Sequence, residues 1–225
     1  MTYAGLPHGT ISYLRELAAD NSRAWFAAQR ADHDRFWLAA GLDLSAALSA
    51  PAKGPGLHAV PKENAGLRRI HRDVRFAADK RPYEPRLHMV LSSGSGAGGG
   101  AGVQLVVGPA GIGYGAGSYG MTPAALDTFR RRVCDGAGRA GLEAALAVAR
   151  GVGAVLDAPD LKRVPRGYDP APWDHLIRRK SVIVRRDGDV GLPDWLHGPG
   201  AVAGWMAIVG ALVPLVRWLQ PITAA

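Results

Sequence analysis

The sequence has very little cysteine. Cys134 is the only cysteine among 225 residues, so no disulfide can form within the chain and a cysteine-based zinc site is not expected. Its arginine neighbours could activate the thiol, but it stands next to Val133 on a predicted helix, and we expect a buried, unreactive side chain. This cysteine usage predicts a reducing, cytoplasmic location.

Long apolar runs are also rare. The first residues, "MTYAGLPHGT", carry neither the positive segment nor the apolar core of a signal peptide. One uncharged run near the other end, residues 198–216, is nearly long enough to span a membrane. Because it is rich in Gly and Ala, contains Pro214 and has no comparable partner segment, the sequence favours a buried core helix over a membrane anchor. We therefore expect no membrane partner.

Acidic residues are in the minority. The chain has 27 Lys and Arg against 19 Asp and Glu, a net charge of +8, which favours anionic partners such as nucleic acid or phosphorylated metabolites. The composition is otherwise that of an ordinary globular protein, with 48% apolar and 20% charged residues. Since Arg-rich chains are often basic through codon usage alone, only local clustering of the basic residues would indicate a site.

The motifs of several common enzyme classes are missing. There is no P-loop and no GxSxG. The "HRD" at residues 71–73 lacks the Asn of a kinase catalytic loop, because residue 78 is Ala. "GAGSYG" at residues 115–120 fits GxGxxG, but no acid follows about 20 residues later, so these glycines are expected to permit a tight strand-to-helix crossing. The histidines show no metal-binding spacing, and we expect no metal and no cofactor.

Helices are predicted at both ends of the chain. The first has Thr10 as its expected N-cap, and a second, longer one is capped by Asp20 or Asn21 and has a weak point at Gly41. After the strands, "TPAALDTFRRRV" predicts a helix with Thr122 as N-cap and proline at its first position. The apolar run described above forms the last helix.

Strands are predicted in the middle of the chain. Ile70, Val74 and Phe76 alternate with polar residues, "PRLHMVLS" and "GVQLVV" follow, and a hairpin turns at residues 108–111. Between them the Gly-rich run 92–102 is expected to be a flexible loop. Strands in the middle and helices at both ends predict an α+β fold with a mostly antiparallel sheet, in a single domain of residues 1–225.

The stretch "RRIHRDVRFAADKRPYEP", residues 68–85, has six basic and three acidic residues. On a strand, Arg72 would share an apolar face with Ile70 and Val74, so its charge would need a carboxylate, backbone carbonyls or a bound anion. The opposite face would carry Arg69, His71, Asp73 and Arg75. Two interpretations of this surplus of cations have about equal weight. The residues could form a cradle that binds an anion, or a solvated strand whose charges pair with each other.

Four blocks of the sequence resemble a known family. "NSRAWF", "RRIHRDVRFAADKRPYEP", "GYGAGSYGMTPAALDTFRRRV" and "LKRVPRGYDPAPWDHLIRRKSVIV" are similar, in this order, to the conserved-hypothetical family called domain of unknown function 2461, which occurs in bacteria and fungi. The resemblance covers residues 6–220 and implies one soluble domain without an established activity. Two departures stand out: Glu84 replaces a common Lys, and the Gly-rich run 92–102 replaces more regular strand.

We therefore expect the protein to bind a small anionic ligand that bears a phosphate or carboxylate, and we leave open whether it is an enzyme. The expected ligand-binding residues are Arg69, Arg72, Arg75, Asp79, Lys80 and Tyr83, with Arg130 and Lys180 from other matched blocks as further candidates. In a catalytic site, Asp73 or His71 would be the general base. Two alternatives remain: a nucleic-acid-associated module, less favoured because the motif has few exposed aromatic residues, and a purely structural network of salt bridges.

Overall fold

The computed structural model describes residues 3–59, 66–94, 100–168, 171–187 and 191–223. The chain groups into two compact units, each assembled from three segments. The first unit comprises residues 1–91, 104–114 and 187–207, and the second comprises residues 92–103, 115–186 and 208–225. The expectation of a single domain stays a prediction.

Six strands form one antiparallel sheet with the order β1-β2-β3-β4-β6-β5. Their bounds are β1 His58–Ala59, β2 Leu87–Ser92, β3 Gly102–Val107, β4 Ile112–Ser118, β5 Val155–Leu156 and β6 Val182–Arg186. Along β2 every second residue (Leu87, Met89 and Leu91) is buried, as the alternating pattern predicted. Together with the helices this sheet confirms the predicted α+β class.

Helices begin and end the chain, as predicted, and three more lie between the fourth and the sixth strand. Their bounds are α1 His8–Ala19, α2 Arg23–Ala28, α3 Arg30–Asp32, a π-helix His33–Ala39, α4 Ala40–Ala52, α5 Pro123–Cys134, α6 Gly136–Gly151, α7 Asp174–Ile177, a short 3₁₀ helix Asp194–His197 and α8 Ala201–Thr223. The predicted cap at Thr10 is wrong. The backbone N–H of Thr10 donates to the Pro7 carbonyl oxygen, so this residue already belongs to the first turn of α1.

The second predicted helix is shorter and is capped differently. Ser22 is its N-cap, with a hydroxyl that accepts from the Trp25 backbone N–H at 3.1 Å, while Asp20 accepts from the Ser22 N–H. The long helix is interrupted at Gln29 and by the π-helix, and not at Gly41. A Cβ at Gly41 would lie 2.7 Å from the Leu67 side chain, so this glycine permits close packing.

In the second unit, two predictions hold and one fails. Thr122 caps α5 by accepting from the Ala125 N–H, and Pro123 occupies the first position. A Cβ at Gly115 would lie 2.6 Å from the Val184 carbonyl oxygen, so this glycine allows close approach of β4 and β6, whereas we expected the glycines of "GAGSYG" to permit a strand-to-helix crossing. Cys134 is exposed, because it is the last residue of α5 and not part of the buried stripe.

The Gly-rich run 92–102 joins β2 to β3. Residues 95–99 of the predicted flexible loop lie outside the described residues, and the flanking Ser93 N–H donates to the Ala101 carbonyl at 3.0 Å.

α8 is the one helix in the described part of the chain that is long and apolar enough to cross a membrane, with a mean hydropathy of 1.7. Its buried side chains include Trp205, Leu212 and Leu219, and the expectation of a core helix without a membrane partner stays a prediction.

Candidate functional site

The stretch rich in arginine forms an irregular hairpin in the first unit, residues 67–89, which we call the basic hairpin. Its arms, residues 67–72 and 82–89, are joined by isolated bridges between Leu67 and Met89 and between His71 and Tyr83. The Arg72 N–H donates to the Pro82 carbonyl, and the Glu84 N–H donates to the Ile70 carbonyl, both at 2.8 Å. These antiparallel contacts hold the arms together without forming a continuous strand.

The tip of the hairpin, residues 73–81, shows why the predicted strand does not continue. Its backbone groups are taken by side chains: Asp73 accepts from the Arg75 N–H, Asp79 accepts from the Arg81 N–H, and the Lys80 ammonium donates to the carbonyls of Val74 and Arg75. Short polar side chains that capture neighbouring backbone groups compete with a strand ladder.

Phe76 therefore does not join a buried face with Ile70. Its side chain is 95% exposed, and the Arg75 guanidinium lies 5.8 Å from the centre of its ring. An apolar side chain as large as phenylalanine is seldom this exposed in a folded protein.

Two partners within the hairpin satisfy the charge of Arg72. Its side chain is 25% exposed, and its guanidinium donates to the Asp79 carboxylate at 2.8 Å and to the Arg81 carbonyl at 3.0 Å. The sequence raised three ways to satisfy this charge, namely a carboxylate, carbonyls or a bound anion. The structure provides the first two, so the Arg72 side chain holds the far end of the tip against the first arm.

Asp79 is shared between two arginines. Hydrogen bonds from the side chain and backbone of Arg81, together with those from Arg72, hold the pKa of Asp79 well below its usual range. The carboxylate is therefore ionised at neutral pH and fixes both guanidinium groups. Within the hairpin it orients these two cations.

Asp73 and Arg75 form a second pair on the exposed side of the tip. The guanidinium donates to both carboxylate oxygens, at 2.9 and 2.7 Å. Hydrogen bonds from Arg75 lower the pKa of Asp73, and the nearby charge of Arg69 lowers it further. Arg69 itself is exposed, and within the described part of the chain it forms no ion pair.

Aromatic rings and one amide anchor the base of the hairpin. The Tyr83 ring is buried and stacks on Phe26 with centroids 4.1 Å apart, and His71 contacts both rings edge-on. Asn21 accepts from the Tyr83 N–H at 3.0 Å and donates to the Tyr83 carbonyl at 3.2 Å. The Trp37 indole donates to the Arg86 carbonyl, so α2 and the π-helix fix the returning arm.

A family profile described as "Conserved hypothetical protein (DUF2461)" matches residues 9–218. The chain belongs to this family. The match confirms the resemblance seen in the four sequence blocks. Comparisons with curated proteins and with solved structures returned no match.

Two of the four DUF2461 blocks meet at the basic hairpin. Asn21 and Phe26, which sequence reasoning did not select, lie in the block "NSRAWF" and contact Tyr83 of the central block. Their only signal in the sequence was membership of that block. In this DUF2461 chain, Glu84, where the resemblance led us to expect a Lys, pairs with Arg86 at 2.6 Å.

The two further candidates belong to the second unit. Arg130 donates to the Ile177 carbonyl at 3.2 Å, and its guanidinium lies 5.9 Å from the centre of the Tyr168 ring. Lys180 has an exposed side chain, and its backbone N–H donates to Asp160 at 2.7 Å. The structure thus brings six of the eight expected ligand-binding residues onto one hairpin, along with His71 and Asp73. No cluster of His, Cys, Asp and Glu suited to a metal ion occurs among the described residues.

Proposed function

We propose that the protein binds a small anion that bears a phosphate or carboxylate, at the basic hairpin and with Arg69 as the main contact. The hairpin has seven cationic side chains and three carboxylates, a surplus of four positive charges. The cations are Arg68, Arg69, Arg72, Arg75, Lys80, Arg81 and Arg86, and the carboxylates are Asp73, Asp79 and Glu84. Internal pairing therefore leaves positive charge over for a partner.

The observation that carries this proposal is that Arg69 is exposed and forms no ion pair within the described residues, next to the completed ion pair of Asp73 and Arg75. Arg75 already occupies both oxygens of Asp73, so the exposed guanidinium of Arg69 keeps its donors free for an external anion. The fixed Arg75 and the tethered Lys80 lose little side-chain entropy on binding, which favours recognition at this face.

If the hairpin also catalyses a reaction, His71 is the better general base. The lowered pKa of Asp73 makes its carboxylate a poor proton acceptor at neutral pH. His71 has an exposed side chain beside Tyr83, where a ligand held by the arginines could reach it.

The test is a titration with inorganic phosphate, pyrophosphate and citrate at fixed ionic strength, followed by calorimetry and by thermal unfolding. The wild type should bind at least one of these probes, and Arg69→Gln should weaken binding about 10- to 150-fold, because a charge-assisted hydrogen bond is worth about 1.5–3 kcal/mol. The control is Arg23→Gln, which removes the same charge from an exposed residue of α2. Equal weakening by both variants, or no binding to any probe, would contradict the proposal.

A second candidate, binding of single-stranded nucleic acid, is favoured by the exposure of Phe76. An exposed ring beside a guanidinium suits a stacked base and its phosphate. Binding of a labelled oligonucleotide should fall steeply with salt, and Phe76→Ala should cost about 1–3 kcal/mol of binding free energy. Tyr119→Ala, which removes another exposed ring, is the control. If Phe76→Ala leaves oligonucleotide binding unchanged, the small anion remains the favoured ligand.

A further inference from the structure

Two neighbouring buried side chains in the first unit each have one polar atom without a hydrogen-bond partner. Tyr13 on α1 is 3% exposed and His33, at the start of the π-helix, is 6% exposed. Among the described residues, neither the Tyr13 hydroxyl nor the His33 Nε2 atom makes a hydrogen bond. Their ring centroids are 6.4 Å apart with planes at 63°. Other buried polar atoms of the described residues also lack a partner, but these two belong to rings in contact, so that one bound group could satisfy both and remove their destabilising effect.

The other nitrogen of His33 sets the chemistry of this place. Nδ1 lies 2.7 Å from the Asp34 carboxylate oxygen, and an ionised carboxylate can only accept, so the hydrogen of the neutral ring is on Nδ1. The lone pair then lies on Nε2, which is an acceptor. Burial lowers the pKa of His33, against the opposing effect of Asp34, which favours the neutral ring. The occupant must therefore donate a hydrogen bond to Nε2.

The surroundings select against a charged occupant. The imidazole stacks on Trp37 with centroids 5.3 Å apart and meets the Phe26 ring edge-on at 5.0 Å. Of the full charges that act on the two side chains, Asp34 and Arg30 are paired with each other, and Asp32 acts on Tyr13 without a hydrogen bond to it. An ion enclosed by these rings would lose its hydration without gaining a directly bonded counter-ion. π-Helical turns within α-helices are frequently found at functional sites.

We propose that Tyr13 and His33 form a buried site that binds one neutral hydroxyl group, which donates to His33 Nε2 and hydrogen-bonds to the Tyr13 hydroxyl. The hydroxyl comes from a small uncharged alcohol or from a buried water molecule. Phe26 also stacks on Tyr83 of the basic hairpin, but the proposal does not depend on anion binding there.

The sign of a stability change tests the site. Tyr13→Phe removes only the hydroxyl, so with an occupied site it should lower the equilibrium constant for folding about two- to tenfold. With nothing bound, the variant should be as stable as the wild type or more stable, because an unsatisfied buried hydroxyl has been removed, and that result would overturn the proposal. Tyr119→Phe, at an exposed tyrosine, is the matched control and should leave stability unchanged.

Two measurements on the wild-type protein complete the test. Nitrogen NMR of the His33 ring should show hydrogen on Nδ1 and a hydrogen-bonded Nε2, and hydrogen on Nε2 would overturn the proposal. A crystal structure should show density bonded to both side chains, whereas a direct bond between Tyr13 and His33 with no density between them would overturn it. Native mass spectrometry distinguishes the two sources, since an alcohol adds mass to the folded protein and a buried water does not survive desolvation.

Discussion

The base and the tip of the basic hairpin are built from opposite kinds of interaction. At the base, Phe26 and Tyr83 are buried and stacked, and Asn21 bonds to the backbone of the returning arm. At the tip, exposed ion pairs and the 95% exposed Phe76 face solvent. Buried apolar area stabilises the fold far more than exposed ion pairs do. We infer that the base provides stability and the tip provides a shaped, charged surface.

Two substitutions of the same type should separate the two regions most clearly. Phe26→Ala removes a buried ring and should lower the free energy of unfolding by about 3–5 kcal/mol, whereas Phe76→Ala should change it by less than about 0.5 kcal/mol. Urea unfolding followed by tryptophan fluorescence measures both. Similar decreases in the free energy of unfolding of the two variants would show that the tip stabilises the fold as much as the base does, which would contradict this inference.

The amide of Asn21 provides the next largest effect at the base. Asn21→Ala removes both hydrogen bonds to the Tyr83 backbone and should lower the free energy of unfolding by about 1–3 kcal/mol. Hydrogen exchange of the Tyr83 amide should accelerate at the same time. Gln29→Ala, at a nearby residue of similar polarity, serves as the control; if it destabilised the protein as much as Asn21→Ala, the effect would be unrelated to the hairpin.

The ion pairs of the tip should show their effect in the pH dependence of the free energy of unfolding. The pKa of Asp79 is lower in the folded protein than in the unfolded chain, so its stabilising effect is complete above the unfolded value of about 4 and is lost as the pH falls below it. The wild-type urea midpoint should therefore fall from pH 5 to pH 2 more than that of Asp79→Asn.

Asp32→Asn is the control for this pH series, because Asp32 forms no ion pair within the described ranges. This variant should follow the wild-type curve. If Asp79→Asn did the same, the ion pairs of Asp79 with Arg72 and Arg81 would have no measurable influence in solution.

Local signals in the sequence predicted much of the fold. The alternation in β2 and the cap at Thr122 depend on neighbouring residues, and the structure has both as predicted. The options for Arg72 were also stated correctly, since a carboxylate and a carbonyl satisfy its charge.

The errors came from interactions that a local pattern cannot encode. Phe76 looked like a strand residue because polar and apolar residues alternate around it, but the carboxylates of Asp73 and Asp79 capture the backbone and end the ladder. The contact between Asn21 and Tyr83 joins residues 62 positions apart. Nor does any helical periodicity mark the π-helix that positions His33.

That separation of 62 positions also has a consequence for the order in which the chain folds. The Tyr83 backbone can bond to Asn21 only after the segment around α2 and the hairpin have come together. This step closes a long loop, and the entropy cost of closing it comes before any contact stabilises the product. We therefore expect the arm to become protected late in refolding, after α1 and α2 have formed. During that interval the Tyr83 edge of the hairpin is an open backbone edge, able to pair with another unfolded chain.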